Sequence, residues 1–299
     1  AVRRGLAEIG SEVGEGVLVI AAGTTGSGRY LTADYVGADV VRNEITAQAT
    51  AAVNTDPTVD TIFEIGGQDS KYVALDNRAV VDFEMNKACA AGTGSFLQEQ
   101  AEKLNISIER EFGDKALAAS CPVGCGERCT VFMESDLVAH QRSGAKKEDL
   151  IAGLAYSIAS NYLTKVVGDR RIGNNVFFQG GVAWNKGVVA AFEKLIGKEV
   201  TVPPHHDVTG AIGAAILAME KACEEGFQTS FKGFDVHKRK YNLTSFPCHD
   251  CSNQCEIHQV EIEGDRTLFY GARCEKFEVE TRAEQELPTD YFGARQRLL

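Results

Sequence analysis

The residues best suited to chemistry begin with a short polar turn between two runs of strand-forming residues. The stretch 59–65 is rich in apolar and β-branched residues, and it breaks at Gly66-Gly67-Gln68-Asp69-Ser70. Glycines remove side chains where a strand turns, so backbone N–H groups could point at phosphate oxygens. Gln68 could orient a water molecule, and Asp69 could act through Mg²⁺ or as a base. A plain hairpin turn is the structural alternative, because this signal alone is weak.

Two further glycine pairs strengthen the case for a nucleotide site. Gly180 and Gly181, followed by Asn185, lie at a predicted strand-to-helix junction, and Gly210 and Gly213 lie at another. Small residues there let a nucleoside approach the backbone closely. Each pair alone is explained by helix packing. Three such junctions in one chain favour nucleotide binding.

Cysteines supply the second kind of chemistry. Cys89 and Cys129 each lie at or just before a predicted helix start, where the positive helix end stabilises a thiolate, the form that binds metal. Buried helix-start cysteines are the alternative. Cys121 and Cys125 are either extra ligands or loop thiols, and Cys223, on an alanine-rich helix, is expected in the core.

A separate cysteine group lies near the end of the chain. Its members are Cys248, Cys251, Cys255 and Cys274, with a predicted hairpin between the last two. Four thiols in this arrangement suit Zn²⁺ or an iron–sulfur cluster, and the spacing does not choose between them. Four free thiols grouped by chance are the alternative.

Composition excludes several classes of protein. The chain has 299 residues, a net charge of −11 and no cluster of basic residues, which argues against nucleic acid or anionic membrane as a partner. No apolar run reaches the roughly 18 residues that a membrane span needs. Nine cysteines without a secretion signal argue against a disulfide framework and for a cytoplasmic protein. The beginning of the chain resembles a cut end.

The predicted elements alternate between strands and helices. Residues 59–85 predict three strands in an antiparallel meander, and residues 16–22 predict a buried strand. Helices are predicted over about 1–13, 38–49, 91–104, 129–138, 148–167, 185–196 and 209–224. Strands are predicted near 175–179, 198–202, 259–262 and 267–270. A mixed sheet with flanking helices follows, so the fold class is α/β.

Four stretches in this order resemble one family of ATPases. They are Ile65-Gly66-Gly67-Gln68-Asp69-Ser70-Lys71, Asn86-Lys87-Ala88-Cys89-Ala90-Ala91-Gly92-Thr93-Gly94, Cys129-Thr130-Val131-Phe132-Met133-Glu134-Ser135 and Gly180-Gly181-Val182-Ala183-Trp184-Asn185. The chain resembles BadF/BadG/BcrA/BcrD-type activators of 2-hydroxyacyl-CoA dehydratases and the related subunits of benzoyl-CoA reductase. The resemblance covers roughly residues 15–222 and implies the actin/hexokinase/Hsp70-type, ribonuclease H-like fold.

The resemblance assigns roles to individual residues. Gly66, Gly67 and Gln68 match the second phosphate loop, and Gly180, Gly181 and Asn185 match the adenosine side, so ATP or ADP with Mg²⁺ is the implied ligand. Cys89 and Cys129 match the cysteines with which two subunits hold one [4Fe–4S] cluster. One feature departs from the family, because no Asp-x-Gly-Ser/Thr loop precedes Val17.

These observations predict four segments. Residues 1–225 form an ATPase domain without its first phosphate loop, and 226–241 form a linker. Residues 242–280 form a cysteine-rich metal module, which resembles a segment of larger multidomain activators. Residues 281–299 lead to a further domain.

The functional hypothesis is an ATP-dependent activator that passes an electron from a shared [4Fe–4S] cluster to a dehydratase or acyl-CoA reductase. It would act as a homodimer or beside a paired ATPase domain. Two alternatives remain open: a sugar or acyl kinase of the same fold, which Asp69 permits, and a regulatory nucleotide-binding domain with a structural metal.

Overall fold

The computed structural model describes residues 2–86, 93–126, 129–264 and 267–274. The chain divides into two compact units. The larger unit comprises residues 20–29 and 38–230, and the smaller unit comprises residues 1–19, 30–37 and 231–299. Each unit is described by itself below.

A mixed five-stranded sheet forms the centre of the larger unit. The strands are β3 (Thr61–Ile65), β4 (Ser70–Asp76), β5 (Ala79–Met85), β6 (Val176–Gln179) and β7 (Val200–Thr201). Their order in the sheet is β5-β4-β3-β6-β7, with β3 antiparallel to β4 and parallel to β6. A short parallel pair, β1 (Gly23–Thr24) and β2 (Val40–Val41), lies apart from this sheet. The antiparallel meander predicted from the sequence is confirmed.

Helices cover both faces of the sheet. They are α3 (Glu44–Thr55), α4 (Gly94–Lys103), α5 (Gly113–Leu117), α6 (Thr130–Arg142), α7 (Lys147–Tyr162), α8 (Lys186–Ile196) and α9 (Thr209–Ala222). On one face Phe63 packs with Tyr162 and Phe192 at ring-centroid distances of 5.3 and 5.4 Å. On the other face Ile62 and Phe177 pack in a smaller cluster with residues of α3. Every residue of β3 is therefore buried, as expected for a strand covered on both sides.

The start of α3 differs from the prediction. Residues 38–49 have helical spacing, but Val40–Val41 form a strand, and the helix begins at Glu44. The side chain of Asn43 caps it by accepting a hydrogen bond from the Thr46 N–H at 2.8 Å. A local cap therefore decides where this helix begins.

The predicted strand over 16–22 is wrong over its whole length. The strand in this region is Gly23–Thr24, directly after the predicted span, and Val17, Leu18 and Ile20 are exposed. Among the described residues, backbone pairing in this region begins at Ala22, whose carbonyl accepts from the Asp39 and Val40 N–H groups. Apolar, β-branched composition does not make a strand without a neighbour to pair with.

The smaller unit combines helices with a three-stranded antiparallel sheet. The helices are α1 (Val2–Val13), α2 (Arg29–Val36, whose first residue belongs to the larger unit) and a 3₁₀ helix (Phe234–Lys238). The strands are β8 (Tyr241–Pro247), β9 (Glu256–Ile262) and β10 (Leu268–Tyr270), in the order β10-β9-β8. The segment predicted as a polar linker thus contains a short helix, whose Val236 is buried. The side chain of Arg3 on α1 donates to the carbonyl of His237 in that helix.

Within the described ranges, no helix combines the length and the apolar character needed to cross a membrane. The tail 281–299 lies outside the described residues, so its predicted role stays a prediction.

Close packing between α3 and α9 generates the first testable prediction. A Cβ atom added at Gly213 would lie 1.8 Å from the backbone carbonyl oxygen of Ala47, whereas one added at Gly210 would meet only Thr25 Cγ2, at 3.5 Å. We expect Gly213→Ala to lower the free energy of unfolding by about 1–3 kcal/mol, because the backbone must move apart. Urea unfolding checks this. Gly210→Ala is the matched control, and equal midpoints for the two variants would contradict the packing account.

Candidate functional site

The predicted phosphate loop is an open turn between β3 and β4. The Gly66 N–H donates to the carbonyl oxygen of Asp69 at 2.9 Å and closes the turn. Gly67 and Gln68 are exposed, and a Cβ atom added at Gly67 would meet nothing within 4 Å. The turn therefore exposes the backbone at Gly67 and Gln68 to a ligand, as phosphate binding requires.

The N-terminus of α4 holds this turn. The N–H groups of Gly94 and Ser95 donate to the carbonyl oxygens of Gly66 and Gly67, both at 2.9 Å. A Cβ atom on Gly94 would lie 2.9 Å from Val182 Cγ2 and 3.1 Å from the Gly66 carbonyl oxygen, so a side chain there would crowd this contact. The positive end of a ten-residue helix thus lies against the turn, where it favours an anionic ligand.

The second glycine turn lies beside the first. Gly180 has a φ of +90°, and a Cβ atom there would lie 2.3 Å from the carbonyl oxygen of Ile65 at the end of β3. Gly181 is exposed, with nothing within 4 Å of an added Cβ. Since β3 and β6 are parallel neighbours, both turns follow the carboxyl ends of adjacent strands, the usual place for ligands in α/β sheets.

Asn185 and the α9 glycines have structural roles that are visible directly. The Asn185 side-chain oxygen caps α8 by accepting from the Gly187 and Val188 N–H groups at 3.1 and 3.3 Å. Its Nδ2 is buried without a hydrogen-bond partner, which leaves a donor for a ligand. Gly213 is required by packing against α3, whereas Gly210 is less tightly packed.

A buried ion cluster beside the phosphate loop is the feature that sequence reasoning missed. The Lys71 ammonium lies 2.8 Å from Glu64 Oε2, 3.0 Å from Asp69 Oδ2 and 3.6 Å from Glu44 Oε1. Glu64 and Lys71 are both buried, and they lie opposite each other on the neighbouring strands β3 and β4. Two charged residues inside otherwise apolar strands were the available signal, because such residues seldom face a core unpaired.

This arrangement shifts the pKa values of both buried groups. Burial raises the pKa of Glu64 to about 7, although the Lys71 ammonium opposes the shift. Burial alone would lower the pKa of Lys71, but the carboxylates of Glu64 and Asp69 raise it above its usual value. Three carboxylates share one ammonium, so the cluster carries excess negative charge and Glu64 is the group that takes up a proton near neutral pH.

Gln179 adds orphaned polar atoms to the same place. It pairs with Glu64 across β6 and β3, it is fully buried, and neither atom of its side-chain amide has a partner. Buried amides are normally hydrogen-bonded, so this amide has the donor and acceptor for a bound water or ligand. The orphaned donors of Gln179 and Asn185, together with the two open glycine turns, fit a nucleotide.

Of the two cysteines predicted to hold a cluster, Cys129 lies in the described part. It is the N-cap residue of α6 and is partly buried, as the sequence predicts. Val131 and Phe132, in the first turn of that helix, are each 66% exposed. Cys89 lies outside the described residues.

The neighbouring thiols differ from one another. Burial, with Asp136 nearby, raises the pKa of Cys125 to about 11, so this thiol is protonated at neutral pH and is poorly suited to bind metal. Cys121 is exposed, and its backbone N–H donates to Asp149 Oδ1 at 2.7 Å. Cys223 is exposed rather than in the core, because it lies just past the end of α9.

Cys248, Cys251 and Cys255 lie in the loop that connects β8 and β9 in the smaller unit, and Cys274 follows β10. The Cys248 N–H donates to the Cys255 carbonyl oxygen at 2.8 Å, and the Arg273 N–H donates to Cys255 Sγ at 3.4 Å. Cys251 lies in the connecting turn, and Cys274 follows Arg273. Across the described ranges, no group of three or more His, Cys, Asp or Glu side chains is already arranged to hold a metal ion.

Comparison with known proteins identifies the family. Residues 1–218 match the model of the BadF/BadG/BcrA/BcrD ATPase family. The chain belongs to the BadF/BadG/BcrA/BcrD ATPase family. The resemblance stated from the sequence is therefore confirmed, and this ATPase family membership supports nucleotide binding. The C-terminal cysteines lie beyond the matched residues.

Relatives of this BadF/BadG/BcrA/BcrD ATPase chain include dehydratase activators. The 2-hydroxyisocaproyl-CoA dehydratase activator of Clostridioides difficile is 38% identical over 203 residues, which cover 67% of this chain and 74% of the relative. The (R)-2-hydroxyglutaryl-CoA dehydratase activating ATPase of Acidaminococcus fermentans is 36% identical over 190 residues, which cover 62% of this chain and 71% of the relative.

A solved structure confirms the α/β ATPase fold. The activator of the 2-hydroxyisocaproyl-CoA dehydratase from Clostridium difficile with bound ADPNP superposes with a TM-score of 0.66 at 35% identity. The match covers 73% of this chain and 81% of that chain.

The raised pKa of Glu64 predicts a pH dependence of stability. The folded state holds a proton on Glu64 up to about pH 7, whereas an unfolded chain releases it near 4.5. The resulting stabilisation is complete below pH 4.5 and is lost as the pH rises through 7. Between pH 4.5 and 7, Glu64 should therefore make the free energy of unfolding fall by up to about 1.4 kcal/mol for each pH unit. Urea unfolding measures this slope, and Glu64→Gln should remove the contribution.

Glu109→Gln, at an exposed position, is the control and should keep the wild-type slope. An unchanged slope in Glu64→Gln would show that the buried carboxyl does not take up a proton in this range.

Proposed function

We propose that this chain is the ATPase part of an activator that donates an electron to a 2-hydroxyacyl-CoA dehydratase or acyl-CoA reductase. Its relatives of known activity include activators of such dehydratases, and the matched region contains both glycine turns and Cys89 and Cys129. The chain would act in the cytoplasm, in contact with its partner enzyme.

One observation carries the proposal. The N-terminus of α4 donates two hydrogen bonds to the phosphate loop, and Cys89 lies only five residues before Gly94. A ligand that moves the loop must move these amides or break their hydrogen bonds. Nucleotide state can therefore bias the segment that contains Cys89, which is the differential contact that coupling requires.

A second contact continues this connection to Cys129. Lys103, in the last turn of α4, lies 2.6 Å from Glu134 Oε1 on α6 and 2.8 Å from Glu99 Oε1 on its own helix. The α6 helix begins directly after Cys129 and is anchored by buried Met133 and Leu137. Exposed ion pairs contribute little stability, and the two helices also share a buried apolar cluster that includes Leu97 of α4 and Met133 of α6.

We propose that the nucleotide is ATP or ADP with Mg²⁺. Gly66, Gly67 and Gln68 would bind its phosphates, and Gly180, Gly181 and Asn185 would lie on its adenosine side. Asp69, which is only partly buried, offers carboxylate oxygens for the Mg²⁺ and its waters, the hard ligands that this ion prefers. Gln68 and Asp69 would orient the attacking water.

We propose that two chains share one [4Fe–4S] cluster, which supplies one-electron chemistry when bound. Cys89 and Cys129 from each chain give the four thiolates that such a cluster uses. Cys129 is the N-cap residue of α6 and is partly buried. The exposed side chains of Val131 and Phe132 beside it offer apolar surface to the second chain.

A separate site for Zn²⁺ or an iron–sulfur cluster is proposed at Cys248, Cys251, Cys255 and Cys274. Hydrogen bonds at the loop end of the hairpin bring Cys248, Cys255 and Arg273 together, and the Arg273 N–H donates to the Cys255 sulfur.

Metal analysis of the anaerobically purified chain tests both sites. We expect about two iron atoms per chain from the shared cluster, and their loss in Cys89→Ser and in Cys129→Ser. Cys248→Ser should keep that iron and lose the second metal. The iron-loaded protein should sediment as a dimer of the 32.3 kDa chain.

Cys223→Ser, which changes an exposed thiol outside both groups, is the control and should match wild type. Wild-type protein without iron would contradict the electron-transfer role, and phosphorylation of a sugar or acyl substrate by that iron-free protein would favour the kinase alternative.

A further inference from the structure

The side chain of Trp184 is unusually exposed for its type. It is the chain's single tryptophan, and 69% of it is accessible to solvent. It ends the short 3₁₀ helix Gly181–Trp184 that follows the second glycine turn. A large flat ring left in solvent is suited to contact a ligand, because covering it removes apolar area from water.

His206 holds this ring in place. The two ring centroids are 4.6 Å apart, and the planes meet at 63°. His206 itself is 5% exposed and makes two contacts with the backbone of Gly180. Its carbonyl oxygen accepts a hydrogen bond from the Gly180 N–H at 2.7 Å, and its Nδ1 lies 3.0 Å from the Gly180 carbonyl oxygen. The position of the indole is therefore tied to the glycine turn.

The same 3₁₀ helix contacts the structure around the phosphate loop. A Cβ atom added at Gly94 would lie 2.9 Å from Val182 Cγ2 and 3.5 Å from Gly67 Cα. Val182 thus packs where α4 meets the loop, and Trp184 follows two residues later. A Cβ atom added at Gly181 would meet nothing within 4 Å, so the space beside the helix is open at that residue. The indole therefore belongs to the same short helix that packs against the loop where the phosphates are proposed to bind.

We propose that Trp184, positioned by His206, stacks on the purine base of the bound nucleotide. This inference rests on the proposed nucleotide site and identifies the side chain that recognises the base. Stacking on an aromatic ring tolerates any base but favours the larger purine surface, so ATP and GTP should bind more tightly than CTP or UTP.

Because the chain has a single tryptophan, its fluorescence reports this contact directly. Titration with ATP or ADP should change the emission of Trp184, whereas inorganic tripolyphosphate, which has no base, should bind without a comparable change. By calorimetry we expect Trp184→Ala to weaken ATP binding about 10-fold and to leave tripolyphosphate binding within about 2-fold of wild type. Trp184→Phe should recover most of the loss.

Met219→Ala is the matched control, because it removes an exposed apolar side chain from α9, and it should bind ATP as wild type does. If Trp184→Ala binds ATP with wild-type affinity, the stacking inference is overturned while the nucleotide site stands. If wild type binds neither ATP nor tripolyphosphate, the proposed nucleotide function fails and the inference fails with it.

Discussion

Two backbone hydrogen bonds, from Gly94 and Ser95 to the carbonyl oxygens of the phosphate loop, are the contact on which this account depends. They join an exposed turn to the start of a helix, and a side chain at residue 94 would crowd both the Gly66 carbonyl oxygen and Val182. A loop that was free of α4 could bind phosphate, but it could not transmit its state. We propose that the same loop, because it is joined to α4, transmits ligand binding to the start of that helix.

The buried ion cluster provides the other fixed boundary of the loop. Lys71 lies directly beyond the turn and is held by carboxylates from β3, from the turn itself and from α3. Removing Lys71 would leave the buried Glu64 without its counter-ion, which is far more costly than losing an exposed ion pair. The loop is therefore fixed on one side by charge and on the other by the helix, and only its middle residues, Gly67 and Gln68, are exposed.

Much of this arrangement could be predicted from the sequence because its determinants are local. Strand alternation and tight turns predicted the meander, and paired glycines after strands predicted both turns of the site. Glu64 was missed because it lies inside an apolar run, where periodicity reports burial but cannot report that Lys71 is its cross-strand partner. The exposed stretch at Leu18 and the exposed Cys223 were misjudged for a related reason: composition describes a residue, whereas burial depends on what packs against it.

The central claim is that nucleotide binding at the loop is transmitted through α4 to the helix that follows Cys129. Hydrogen–deuterium exchange with and without ADP measures this most directly, because it reports backbone N–H bonding segment by segment. The account predicts changed exchange in residues 66–70 together with residues 93–97 and the first turn of α6, near Thr130. Changes confined to residues 66–70 and 180–185, with α4 and α6 unaffected, would show that the loop binds its ligand without transmitting that event and would contradict the account.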